Sequence, residues 1–448
     1  MKNYLVIGLG VSGISASNFL LKNNFNVFVY DDNKNKAKEL KNSNILHKNC
    51  EIITKLNEKS LFHIDCIVLS PGVVLKEKIK KLIKEFDIDV VGELAFASKY
   101  CEAPIYAITG TNGKTTTANL LDTIFKTAKE NSHLVGNVGN AFSGEVDKIA
   151  QNDKVVCEVS SFQLEYSQGF APYAVGFLNI APDHLDRYKD FEEYFNAKKL
   201  ILERVGDGKV FLNYDDEKLR KLGENCNCEF FSTSLLPNKI DGIYHENNKI
   251  YQKNGEKTQY IVDLSKNKLL GEHNLSNILC AVSLALYAGI TPEIIQKSIK
   301  NFKAPRHRME YAGKINGALF YNDSKSTNIH SALSAVKCFD DKKILLMLGG
   351  SGKGEDFNQL FLNLPNNIKY LITFCKMGKK LAKIAKNNGK TNIFQCKDVF
   401  DAVVCARKLA EQNDIVLFSP ACASYDEFNN YRERGEYFCN LVMEHNEN

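Results

Sequence analysis

The sequence predicts an α/β protein of three domains, and three observations carry that prediction. Apolar, strand-like runs alternate with helix-patterned segments along the whole chain, as in parallel sheets flanked by helices. Two of the strand-to-helix junctions are glycine-rich: Gly8-x-Gly10-x-x-Gly13, and Gly110-Thr111-Asn112-Gly113-Lys114-Thr115-Thr116. The chain of 448 residues has room for about three domains, each with its own core. The alternation divides into units 1–93, 94–302 and 303–448, and no repeat with a period of roughly 20 to 50 residues runs through them.

The first unit reads YLVIGLG, a helix through Ala16 to Leu21, VFVYDD, a helix around Lys36 to Leu40, CIVLSPG as a third strand, and a Lys-rich helix. This is a doubly wound, Rossmann-like sheet. Its glycine loop follows a strand and opens a helix, and Asp31 and Asp32 end the next strand, so the dinucleotide fingerprint stands in its proper context. Alone, it fits nicotinamide-cofactor chemistry. It equally fits any nucleotide diphosphate, because a helix N-terminus recognises the pyrophosphate and not the nicotinamide. Ser70-Pro71-Gly72, at the carboxyl edge of the third strand, favours the second reading, with an ordinary turn as the plain alternative.

The second unit opens with IYAITGTNGKTTT, a buried-type strand, a phosphate loop and a helix. Gly110 and Gly113 let backbone N–H groups face phosphate oxygens, Lys114 adds a point charge, and Thr115 offers a hydroxyl to Mg²⁺. Only two residues separate Gly110 from Gly113, where the general phosphate-loop pattern has four. The strands VVCEVSS, AVGFLNIAPDH and KVFLNYDD follow, then a helix from His273 to Ala288. Glu158, at the end of its strand, can reach Mg²⁺, and His184 should project beside the same loop. Lys198, in FEEYFNAKKLILE, reads from spacing as a surface lysine without a role. The third unit, from PRHRME through ALFYNDSKST, ILLMLGGSGKG, YLITF and DIVLFSPACAS to Asn448, is again α/β.

Charge and composition limit the partners. With 58 basic against 53 acidic residues, the net charge of +5 does not demand a nucleic acid. The Lys-rich runs from Lys76 and Lys376 carry apolar residues at helical spacing and read as solvated helix faces. No stretch approaches the roughly 20 apolar residues of a membrane span, and no leader precedes the first strand, so a cytoplasmic location is expected. The 13 cysteines, among them Cys66, Cys157 and Cys280 in apolar segments, suit reduced core thiols. Cys226 and Cys228 stand too close together and too isolated for zinc.

TGTNGKTT, EVSSFQLE at Glu158 to Glu165, NIAPDHLDRY, GEHN at Gly271 to Asn274, HRME and YNDSKSTN are spread over the whole chain, and together they resemble the Mur ligases. The opening GLGVSG and above all SPACASYDEFNNYRERG, from Ser419 to Gly435, are similar to the branch that adds D-glutamate to UDP-N-acetylmuramoyl-L-alanine. The resemblance implies an ATP-dependent amide ligase that works through an acyl phosphate. Its glycine loop (Gly10, Val11, Ser12, Gly13), with Asp31 and Gly72, would bind the UDP end of the substrate and not NAD. ATP would lie on Gly110, Thr111, Asn112, Gly113, Lys114, Thr115 and Thr116, with Asn274, Arg308 and Asp323 around adenosine and phosphates and Arg308 reaching the γ-phosphate. Two Mg²⁺ ions are implied, one on Thr115 and Glu158 and the second on His184. Lys198 aligns with a lysine that CO₂ carbamylates into a metal ligand.

Asn137 matches a muramoyl contact, and Thr327, Lys353, Ser424 and Tyr431 match positions that bind the D-glutamate carboxylates. Tyr431 departs from the family form, an aromatic without a hydroxyl, and Lys325 is a further candidate for charge stabilisation. Lys114, His184, Lys198 and Arg308 are the implied catalytic groups, His184 acting as metal ligand or, alternatively, as base for the incoming amine. Closure of the third domain over the second is implied, as are small-molecule partners only and a monomer. A NAD-dependent oxidoreductase, a phosphate-loop ATPase without ligase activity, and another Mur ligase or a folylpolyglutamate synthase-like ligase remain as alternatives. No DNPR string of the sort linked with diaminopimelate addition is present.

Overall fold

In the computed structural model, which describes residues 2–444 apart from positions 34, 48, 268 and 270, the chain builds three separate sheets. The expected end of the third unit at Asn448 lies outside the described residues. The first sheet is five-stranded and parallel, in the order Glu51–Ile52, Asn26–Tyr30, Asn3–Ile7, Cys66–Leu69 and Asp89–Gly92. CIVL is therefore its fourth strand and not its third. The strand that precedes it, Glu51–Ile52, is two residues long, too short to leave a period in the sequence.

The second sheet has nine strands. From its buried centre to one edge it runs Lys209–Asn213, Ala174–Phe177, Ile105–Thr109, Lys154–Glu158 and, at the edge, Ser132–Gly136, all parallel. Beyond Cys228–Ser232 it continues into an antiparallel meander, Gly242–Glu246, Lys249–Asn254 and Lys257–Asp263. Sequence reading passes over this meander because its strands are polar and half exposed, without a clean apolar alternation. The turn chemistry does mark it: Asn247 and Asn248 both take positive φ, 50° and 59°, as a two-residue hairpin turn of type I′ requires. The third sheet runs Glu310–Ile315, Ala318–Asn322, Ile415–Ala421, Ile344–Gly349, Ile368–Phe374 and Ile393–Gln395, antiparallel only in its first pair.

The units are joined in two different ways. The helix Glu93–Ser98, between the first and second sheets, is buried along most of its length, and its Phe96 sits edge-on to Tyr4, Phe19 and Tyr100 with ring centroids 5.9, 5.9 and 5.5 Å away. One buried apolar cluster runs from Tyr4 through Phe96 to Phe177 and Tyr244, so these two units share a core. The buried clusters of the third unit contain only its own side chains, from Met309 onward. Its seam with the central unit is polar. Hydrophobic burial welds the first joint, whereas hydrogen bonds and ion pairs that water can replace hold the second.

Glu93 lies in the welded joint. Only 1 % of it is exposed, Oε1 accepts from the Ser143 backbone N–H (2.8 Å) and hydroxyl (2.6 Å), and Oε2 has no partner. Burial pushes its pKa above the usual carboxylate range of about 4.5, outweighing the two Ser143 bonds. The folded state thus holds this proton more tightly than the unfolded chain does. The contribution is complete below the unfolded pKa and is lost as pH rises through the folded one. Glu93→Gln keeps an oxygen for Ser143 and removes the titration. We expect its thermal midpoint, relative to the parent, to rise between pH 5 and pH 8; an offset that does not change with pH would contradict this.

Candidate active site

The phosphate loop leaves the carboxyl end of Ile105–Thr109, in the middle of the nine-stranded sheet, and enters the helix Lys114–Thr127. Gly113 has φ 87°, and a Cβ there would lie 2.0 Å from Asn277 Oδ1, so the position requires glycine. Lys114 curls over its own loop, its Nζ donating to the carbonyls of Gly110 (2.8 Å) and Thr111 (2.9 Å). Thr115 Oγ1 donates to Glu158 Oε2 at 2.7 Å, Asn137 Nδ2 donates to Glu158 Oε1 at 2.7 Å, and Lys325, from the third unit, donates to Thr115 Oγ1. Burial alone would raise the Glu158 pKa, but Lys325, Lys114 and the two hydrogen bonds outweigh it and hold the group ionised below its ordinary value. Thr116 lies behind the loop, fully buried.

His184 follows on the loop after Ala174–Phe177, at a positive φ of 54°. Burial, reinforced by Lys353, Lys114 and Lys198, brings its pKa down to about 4 against the pull of Asp183, so the imidazole is neutral near pH 7 and has a lone pair to offer. The expectation of a surface Lys198 is wrong. This lysine is 1 % exposed, its Nζ lies 5.1 Å from the Tyr194 ring centroid, and among the described residues it makes no ion pair. The helix Phe191–Arg204 turns this position inward toward Tyr194, and its pKa falls well below that of a free lysine, through burial first and Lys114 next. Helical spacing gives no hint of this, because the cleft that the helix faces is itself polar.

Thr115, Asn137, Glu158, His184, Lys198, Arg308, Thr327, Lys353, Ser424 and Tyr431 all line one cleft of about 750 Å³, together with Gly72 from the first unit. Lys353 Nζ bridges to Asp183 Oδ1 at 3.0 Å and reaches Thr327 Oγ1 at 3.4 Å. Asp183, which the sequence reading left out although it stands beside His184, is held at a pKa of about 2, burial being outweighed by Lys353 and His184. Tyr431 keeps its ring 5.2 Å from Lys325 Nζ, and Arg432 Nε meets its hydroxyl at 3.4 Å. The extra hydroxyl therefore sits between two cations, which together overcome burial and lower its pKa.

A second pocket, of about 210 Å³, adjoins the cleft through Asn112, Gly113 and Arg308 and contains Asp323, Asn277, His273 and His330. Asp323 accepts from Ser419 Oγ at 2.8 Å, and Arg308 is buried with its Nε unpartnered. The helix Glu272–Tyr287 presents His273, Ser276 and Asn277 to this pocket; Asn274 lies one turn behind, accepting from Asn277 Nδ2 at 3.0 Å. Sequence reading missed Asn277, although it stands one helical turn from the motif residue.

The first-unit loop is not part of the large cleft, apart from Gly72, whose carbonyl accepts from Arg187 Nη1 at 3.2 Å. Gly13 permits the close packing of this loop, since a Cβ there would lie 1.9 Å from the Gly8 carbonyl oxygen. Asp31 accepts from the N–H groups of Leu9 (2.8 Å) and Asn33 (2.9 Å). Around Gly10 nothing lies within 4 Å of an added Cβ, and Val11 is 75 % exposed, with Ser12 beside it, so this edge faces solvent.

Comparison with known proteins agrees with this architecture. Residues 2–92 match the Mur ligase MurD-like N-terminal domain, 108–285 the Mur ligase middle domain, and 307–422 the Mur ligase glutamate ligase domain. The chain belongs to the Mur ligase family. Proteins named UDP-N-acetylmuramoylalanine--D-glutamate ligase from Thermoanaerobacter sp. (strain X514) and Caldanaerobacter subterraneus subsp. tengcongensis are 37 % and 36 % identical to it, each over 99 % of this chain and 98 % of their own. Among solved structures, a pseudomurein peptide ligase type C from Methanothermus fervidus shares the fold, with a TM-score of 0.62 at 19 % identity over 99 % of this chain and 100 % of its own.

Arg434 had no place in the sequence reading, yet it supports the loops that leave the carboxyl ends of Ala318–Asn322 and Ile415–Ala421. Only 1 % exposed, it donates to the Ser324 hydroxyl (3.0 Å) and to the carbonyls of Ser324 (2.8 Å), Ala423 (3.1 Å) and Cys422 (3.0 Å). It thus ties the Lys325 loop to the Ser424 loop. Arg434→Lys keeps the charge but not the planar fork, leaving buried carbonyls without donors at a cost of about 2–4 kcal/mol. Denaturant unfolding measures it, and a loss under about 0.5 kcal/mol would contradict the role.

Proposed function

We propose that this protein is an ATP-dependent carbon–nitrogen ligase that adds D-glutamate to UDP-N-acetylmuramoyl-L-alanine, releasing ADP and phosphate, in peptidoglycan precursor synthesis. The observation that carries the proposal is the convergence, in one cleft, of a phosphate loop, an ionised carboxylate, a neutral imidazole and a lysine–hydroxyl clamp from the third unit. Full-length identity to ligases of that name supports the choice of substrates. Units 1–93, 94–302 and 303–448 would hold, in turn, the UDP end, ATP and the amino acid. The loop Gly10 to Gly13, with Asp31 and Gly72, takes the uridine diphosphate, and Asn137 meets the muramoyl part. One chain supplies every group named, so the reading needs no second copy. ATP as substrate and 13 free thiols support a cytoplasmic location.

A carboxylate is a poor electrophile. The L-alanyl carboxylate therefore first takes the γ-phosphoryl group of ATP, with Lys114 and Arg308 countering the charge of the transferring group. The amine of D-glutamate, held through its carboxylates by Lys353, Thr327, Ser424 and Tyr431, attacks the acyl phosphate. Lys325 lies close enough to Thr115 to stabilise the oxyanion before phosphate leaves. Asp323 and Asn277, with Asn274 behind them, position the nucleoside side. The closed seam between the second and third units keeps water from the acyl phosphate.

The hydroxyl of Thr115, the ionised Glu158 and the neutral imidazole of His184 are suitable donors for Mg²⁺, which would supply further positive charge against the phosphates. A metal-bound His184 has no lone pair left to act as base. Lys198 fits carbamylation: it is buried and among the described residues makes no ion pair, and as a carbamate it would become an anion close to Lys114 and His184.

The test is phosphate release from MgATP and UDP-N-acetylmuramoyl-L-alanine with D-glutamate, L-glutamate, L-lysine or no amino acid. Release that requires both the nucleotide substrate and D-glutamate is expected. Release with a different amino acid would reassign the third unit, and release without any acceptor would replace the ligase by an ATPase. Lys114→Ala is expected to lower kcat by roughly 10²-fold or more. Lys353→Met should raise KM for D-glutamate and leave KM for ATP unchanged; the reverse pattern would remove Lys353 from the amino-acid clamp.

A further inference from the structure

Asn112 is held from two domains at once. Its backbone N–H donates to Asn179 Oδ1 (2.9 Å) and its carbonyl accepts from Asn179 Nδ2 (3.0 Å), both within the central unit. Its side chain belongs to the third unit: Oδ1 accepts from Ser331 Oγ (2.6 Å) and Asn328 Nδ2 (3.2 Å), and Nδ2 lies 3.1 Å from His330 Nδ1. The donors follow from one fixed point. The Ser331 backbone N–H donates to Asn328 Oδ1 (2.9 Å), so Asn328 must present its NH₂ to Asn112. Asn112 then presents Oδ1 to Asn328 and Ser331 and its NH₂ to His330, whose Nδ1 accepts; the ring is neutral, with its proton on Nε2.

These three residues stand at the start of the helix Ile329–Val336, with Asn328 as its N-cap. They are the residues of the seam that touch the phosphate loop through a side chain having no other partner in the central unit among the described residues. A polar seam without a shared core opens more easily than the sheet joint, and when it opens Asn112 loses all three side-chain bonds together.

We propose that His330 and Ser331 are positioning residues that set the phosphate loop through Asn112, so that the Asn112 side chain couples docking of the third domain to binding of the nucleotide. The proposal rests on the ligase reading for its purpose, since a loop completed only in the closed form confines phosphoryl transfer to the closed form. By linkage, whatever favours docking tightens ATP, and ATP favours docking to the same degree.

Hydrogen–deuterium exchange over residues 110–115 of the ligand-free, full-length protein tests the clasp without using the reaction, and so separates its failure from failure of the ligase reading. In the double variant His330→Ala/Ser331→Ala, exchange in this segment should rise while that of the strand Lys154–Glu158 stays as in the parent. KM for ATP should rise about tenfold for the two bonds lost, with KM for D-glutamate unchanged. His330→Gln, whose side-chain carbonyl can accept from Asn112, should restore most of both. Unchanged exchange at 110–115 overturns the proposal, even if activity falls. A rise that spreads equally through the central sheet overturns it as well, because it marks general destabilisation, and so does a His330→Gln variant no better than alanine.

Discussion

The constraint on which the rest of the structure depends is an excess of buried positive charge around the phosphate loop. Lys114, Lys198, Lys325, Lys353 and Arg308 meet in a cleft whose buried anions are Glu158 and Asp183. Two carboxylates do not balance five cations, and burial makes the imbalance costly. The pKa values of Lys114, Lys325 and Lys198 are all lowered, with burial the largest cause, while Glu158 and Asp183 are held ionised. A polyanion such as a nucleoside triphosphate relieves this imbalance on entering, so the arrangement of charges in the cleft favours its binding.

That arrangement exists only with the third domain docked, because Lys325, Lys353 and the Asn112 clasp all come across the polar seam. The contrast between the two joints is therefore functional. An apolar core fixes the first unit to the central one, so the placing of the first sheet relative to the phosphate loop is set once. A polar seam, whose hydrogen bonds and ion pairs water can replace, is one that the third unit can leave and rejoin.

Much of the central site was legible because its chemistry is local. A buried strand, glycines, a lysine and a threonine in sequence can form only a tight loop at a helix start, and Glu158 and His184 follow from their places at strand ends. Lys198 was misread because spacing records which face of a helix is apolar, and a lysine facing a polar cleft looks like a lysine facing water. Asp183, His330 and Arg434 were passed over for a related reason: they have partners far away in the chain, and only folding shows that the Ser324 and Cys422 loops meet at one guanidinium. The meander from Gly242 to Asp263 escaped because edge strands are polar by necessity, and its Asn247-Asn248 turn was the one signal available. The first-unit loop carried two readings, NAD or a nucleotide diphosphate; Ser70-Pro71-Gly72 leaned toward the second, and the whole-chain resemblance implied it.

The central claim is that the cleft activates a carboxylate as an acyl phosphate and guards it from water until the amine attacks. The most direct measurement uses UDP-N-acetylmuramoyl-L-alanine labelled with ¹⁸O in the alanyl carboxylate, with MgATP and D-glutamate, and mass analysis of the phosphate released. The account predicts that one labelled oxygen passes from the carboxylate to each phosphate. Phosphate free of label, formed while product accumulates, would contradict it.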